Sequence, residues 1–102
     1  MGIGMRLMAV SGQFYPGKEA PLREKIKEAE AVARAEEVAV RPVRALILPH
    51  AGYDYSAVTA IKGILTADKS RIKRVVVLSP SHRHGFHGVA AGRYDGYWPT
   101  AT

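Results

Sequence analysis

Two short runs of branched apolar residues, each closed by a proline and followed within four residues by a histidine, constrain this chain more than anything else in it. The first, residues 43–48, ends at Leu48 and leads through Pro49 to His50 in "VRALILPHAGYDYS". The second, residues 75–78, ends at Leu78 and leads through Pro80 to His82 in "VVVLSPSHRHGFHG". Apolar runs this short are too brief for helices and read as strands covered on both faces. Between them lie a loop over 49–55, Ser56 as a helix N-cap, and a helix over about 57–67. Strand, helix, strand within some forty residues is a βαβ unit, with parallel strands and a right-handed crossover. The expected fold class is α/β, a βαβ-containing, mainly parallel sheet flanked by helices.

Upstream, "MRLMAV" at 5–10 suits a short strand, and Pro16-Gly17 in "SGQFYPG" marks a turn. A helix is expected over 21–37, with Pro21 at its first position, where a missing N–H costs nothing. Leu22, Ile26, Ala29 and Ala33, with Val32 beside them, form one apolar stripe at helical spacing. Pro42 bars a central strand at that point, so the first strand begins after it. A last short strand is expected at 88–91, before "GRYDGYWPTAT".

With 102 residues the chain makes one domain, able to bury a modest core. It has no cysteine, which removes disulfides and thiolate ligands. No apolar run approaches the length needed to span a bilayer. The opening "MGIGMRLMAV" lacks the apolar centre and cleavage site of a signal peptide, so a cytoplasmic location is expected. Fifteen Lys and Arg against nine Asp and Glu give a net charge of +6. A nucleic-acid module would collect such charge into a stripe interleaved with aromatic residues. Here the charges read as scattered, with Arg71, Lys73 and Arg74 the sole cluster. Glu19 with Arg23 and Glu30 with Arg34 fall at i,i+4 on a solvated helix face. Nucleic acid is therefore not the expected partner.

Ligands of parallel α/β sheets bind beyond the carboxyl ends of the strands. His50 and His82 occupy equivalent places there, and neighbouring strands run about 4.8 Å apart. Two imidazoles so placed can converge on one ion with bonds of about 2.0–2.1 Å. Tyr53 and Tyr55 would stand on the same rim, to stack on a ring or donate a hydrogen bond, and the following helix would turn its positive end towards an anion. Each element also has a plainer reading. A loop histidine is commonly just solvated, and tyrosines most often pack. His84 and His87 complete an H-x-H-x-x-H run that also suits an exposed, Gly- and Arg-bearing loop. Asp54 serves equally as a ligand, a base or a turn residue bonded to its own backbone.

At these residues the chain resembles the N-terminal part of the Memo-like family, whose fold is similar to that of class III extradiol ring-cleaving dioxygenases. "SGQFYPG" resembles the family's A-G-x-F-Y-P opening, "ALILPHAGYDYSA" its P-H-A-G-Y-x-Y-S-G block, and "VVVLSPSHRHGFHGVA" its G-P-S-H block. "YDGYWPT" at 94–100 echoes the segment after it. Ala57 and Ser79 stand where glycines are common in the family. The resemblance implies that His50 and His82 are metal-site residues, with Tyr53, Tyr55 and Ser81 around the pocket; it assigns nothing to His84 or His87. It implies iron as the metal, with zinc or copper as alternatives, and ring-cleaving oxygenation of an aromatic diol as the chemistry of the fold. Family members are well over twice as long and draw a third metal-site residue from their C-terminal part. The expectation is thus a single, truncated Memo-like domain with half of the metal site and no assigned catalytic residue. Independent catalysis by so short a chain is not expected; the alternative is a non-catalytic protein binding a peptide or small anionic ligand. A sheet edge or face left uncovered would invite self-association.

Overall fold

The computed structural model describes residues 4–97. Residues 98–100 of the "YDGYWPT" echo therefore lie outside the described residues. Two helices form the packed centre. Helix α1 is Glu19–Arg34 and helix α2 is Tyr53–Leu65. Two-residue strands, β1 (Met5–Arg6) and β2 (Gly96–Tyr97), pair in parallel, with Met5 opposite Gly96. Gly4 and Asp95 extend this pairing, because Asp95 N–H donates to the Gly4 carbonyl at 2.9 Å and Gly4 N–H to Asp95 Oδ2 at 3.1 Å.

Helix α1 starts two residues before Pro21, which still falls in the first turn, where its lack of an N–H is harmless. It ends at Arg34, short of residue 37, with the Ala35 N–H closing on the carbonyls of Ala31 and Val32. Glu19 pairs with Arg23 at 2.9 Å and Glu30 with Arg34 at 2.7 Å, the i,i+4 pairs legible in the sequence. Leu22, Ala29 and Ala33 of the stripe are buried, whereas Ile26 and Val32 stay exposed. The narrower buried face follows from the partner: α1 has one neighbour, α2, which presents Ser56 and Ala57 to it. Small residues on both sides let the two backbones approach closely. Lys25 with Asp54 and Lys62 with Glu36 bridge the helical layer at its margins.

Helix α2 opens at Tyr53 with Gly52 as N-cap, four residues ahead of the expected start. Ser56 is not the cap. Its buried hydroxyl donates to the carbonyls of Ala51 at 2.7 Å and Gly52 at 3.2 Å, turning back along the helix instead of forward to free N–H groups. Gly is a competent cap, and Asp54 in the first turn complements the positive helix end.

The apolar runs are extended. Among the described residues no ladder joins 43–48 to 75–78, and 88–91 is extended without a partner. The first run leans on the helices instead. Arg41 forms a parallel bridge with Ala67, its N–H donating to the Thr66 carbonyl at 2.7 Å. Leu48 lies over Gly63, where an added Cβ would come within 2.5 Å of Leu48 Cδ2. Residues 75–78 have no such support and are 72–82% exposed. The Cα radius of gyration, 15.5 Å, exceeds the roughly 13 Å of a compact chain of this length.

Candidate functional site

The loop over 11–17 and the start of α2 assemble first. Gly12, at φ +77°, lets the chain fold back so that its N–H donates to the Tyr15 carbonyl at 2.8 Å. The turn turns the Phe14 carbonyl outward, and the N–H of Tyr53 donates to it at 2.7 Å. One of the free donors at the N-terminus of α2 is thereby satisfied by the "SGQFYPG" loop. The rings of Tyr15 and Tyr53 follow, 5.4 Å apart and tilted by 39°, a favourable aromatic pair. Gln13, Tyr15, Pro16, Lys25, Tyr53 and Asp54 line a shallow cavity of about 270 Å³ beside them.

Lys25 Nζ reaches Asp54 Oδ1 at 2.5 Å across the α1–α2 junction. That hydrogen bond, reinforced by the carboxylate's charge, holds the lysine pKa above its ordinary 10.5. The raised value marks a favourable but solvent-screened pair. Asp54 is thus engaged with α1 and not with its own backbone.

His50 and His82 meet. Their ring centroids lie 5.3 Å apart with planes tilted by 37°. Two imidazoles bound through one nitrogen each, with bonds of about 2.0–2.1 Å, put their centroids about 4.5 Å apart at a right angle and about 5.2 Å apart at a tetrahedral angle. The observed separation suits two ligands of one ion, and the tilt is that of convergent rings rather than a parallel stack. Both residues are exposed, and α2 begins three residues after His50. Among the described residues no third His, Asp, Glu or Cys joins them in a cluster able to hold a metal.

The remaining sequence-derived residues divide. Tyr53 is half-buried against Tyr15, while Tyr55 is 87% exposed on the other side of the helix start. Ser81 serves its own turn: its hydroxyl donates to the His84 carbonyl at 2.6 Å and accepts the His84 N–H at 3.3 Å. The closed turn carries His82 and Arg83 at its tip, so Ser81 shapes the loop that presents the histidine. His84 contributes its backbone there, and His87 is exposed outside the pair. Tyr15, Lys25 and Phe14 were not among the sequence-derived site residues. The aromatic pair "FY" before Pro16 was the available signal for two of them, whereas Lys25 is brought in purely by the helix contact.

Comparison with known proteins agrees with this assembly. The family model described as Memo-like protein matches residues 6–100. Protein MEMO1 of Xenopus tropicalis is 40% identical over 57 residues, covering 56% of this chain and 19% of that protein. Human Protein MEMO1 is 39% identical over the same length. The MEMO1 family protein TRQ2_0860 of Thermotoga sp. strain RQ2 is 34% identical over 104 residues, covering 92% of this chain and 35% of that protein. The chain thus spans between about a fifth and about a third of the length of these relatives. No solved structure gives a significant match. Among the described residues no helix is long and apolar enough to cross a membrane.

Proposed function

The chain belongs to the Memo-like family, and from that premise we propose that it holds a divalent transition metal between His50 and His82. The observation that carries the reading is the 5.3 Å separation of the two rings. They come from distant parts of the sequence, and both follow extended apolar runs. Residues 43–48 and 75–78 are then neighbouring parallel strands of an α/β sheet, with the histidines beyond their carboxyl ends. Iron is the ion that the family resemblance implies, with zinc or copper as alternatives; imidazole donors suit all three. When bound, the ion would act as a Lewis acid towards an anionic oxygen ligand. His50 and His82 hold it on one side only, leaving its other positions to ligands from outside the pair. The N-terminus of α2, starting just after His50, favours negative charge on the same rim. Ring-cleaving oxygenation remains the chemistry of the wider fold, and this chain contributes two ligands to such a site rather than a whole catalyst. A cytoplasmic setting is part of the same reading.

The cavity beside Tyr15 and Tyr53 favours a second reading, a metal-independent site for a peptide or small anionic ligand. Native mass spectrometry separates the two. After anaerobic loading with iron(II) or zinc(II), the chain should retain one ion per two-histidine site, and the His50→Ala, His82→Ala double variant should retain none. Equal metal content in both proteins would refute the metal site. Ligand capture that persists in the double variant would establish the second reading.

A further inference from the structure

The division between helical and extended parts exposes a charge pattern hidden in the linear sequence. Residues 38–50 and 69–94 hold eight Lys and Arg and no Asp or Glu, whereas the rest of the chain holds seven against nine. The whole excess of positive charge therefore lies in the extended half. That half is also where the apolar surface is uncovered: Val75, Val76, Val77 and Leu78 are 72–82% exposed, and Ile47 is fully so. The chain exposes 9022 Å², where a compact monomer of 11.1 kDa exposes about 5,700 Å². Apolar patches of this extent mark interaction surfaces, and unpaired extended backbone is a template for an added strand.

We propose that residues 43–48 and 72–78 form a docking surface for an acidic polypeptide that adds a β-strand along them. Charge selects the occupant. A second copy would bring the same eight uncompensated cations against the first, and like charges across an interface disfavour that pairing. A nucleic acid would match the charge but leave the side chains of Val77 and Ile47 uncovered. A strand with an apolar centre and Glu or Asp flanks satisfies all three demands. Its backbone fills the open ladder, its apolar residues cover residues 75–78, and its carboxylates meet Arg71, Lys73 and Arg74 at one end and Arg83 at the other. Relatives of three to five times this length show that the matched region occurs in the family together with much further polypeptide. This surface stands independently of any metal at His50 and His82.

The test uses the whole chain and three fluorescent probes: a peptide with a Val/Ile/Thr centre and Glu flanks, the same centre with Lys flanks, and a polyglutamate of equal length. Fluorescence anisotropy should show the Glu-flanked peptide binding at least about tenfold tighter than either other probe. Val77→Asp, at a position exposed enough to spare the core, should abolish that binding with unchanged helical circular dichroism. Arg71→Glu with Arg74→Glu should reverse the preference towards the Lys-flanked peptide. Equal binding of the two flanked peptides, or of polyglutamate and the Glu-flanked peptide, would overturn the proposal. So would a stable homodimer that excludes the peptide, or oligouridylate binding that survives Val77→Asp.

Discussion

The helical half and the extended half of this molecule obey different accounting. In α1 and α2 every interior backbone group is paired within its own helix, and one small seam of Leu22, Ala29, Ala33 and Ala57 suffices to hold the two together. In the extended half the same kinds of apolar residues stand in solvent, because a strand cannot satisfy its own backbone or cover its own faces. The contrast teaches where completion must come from outside. It also explains the site's geometry, since the histidines are carried by the extended half while its footing is the helical half.

The largest break in that comparison should come from the seam. Leu22 is 1% exposed, so Leu22→Ala should cost about 3 kcal/mol, read as a fall in the urea or thermal midpoint. An intermediate effect is expected where the halves touch. Gly63→Val drives a branched side chain into Leu48, at a cost of about 1–3 kcal/mol. Because Leu48 is two residues from His50, the same variant should weaken metal retention with both ligands intact. Val77→Ala should change stability by less than about 0.5 kcal/mol, although an identical truncation in a buried strand would be costly. A large loss there would show that the extended half covers itself after all.

The smallest effect concerns the Lys25–Asp54 bridge. The lysine pKa is raised on folding by the Asp54 hydrogen bond and charge. Its contribution is therefore full below the unfolded value of 10.5 and is lost as pH climbs through the higher folded value. Thermal midpoints of the wild type and Asp54→Asn should differ below that range and converge above it. A difference that persists or grows in strong alkali would contradict the assignment.

What could be read in the sequence was what short range decides. The pairs Glu19–Arg23 and Glu30–Arg34, the buried face of α1 around Leu22, Ala29 and Ala33, and the meeting of His50 with His82 all follow from spacing and strand-end placement. The start of α2 did not, because a serine in the right place looks like a cap until its hydroxyl is seen to turn back to Ala51. Strand identity at 43–48 and 75–78 was legible as apolar pattern, but a ladder depends on partners that no local pattern supplies. Pairing instead fell to Met5–Arg6 with Gly96–Tyr97, a contact across almost the whole described chain. Lys25 with Asp54 and Lys62 with Glu36 are equally non-local. The charge read as scattered because its partition follows the fold, not the order of residues.

The account rests most heavily on His50 and His82 acting as one ligand pair. Imidazole ¹⁵N spectra of the histidine-labelled chain, recorded during an anaerobic zinc(II) titration, address it directly. The expected result is that the His50 and His82 resonances shift together and saturate at one equivalent, while those of His84 and His87 stay in place. Movement led by His84 and His87, or no movement at any histidine, would contradict it.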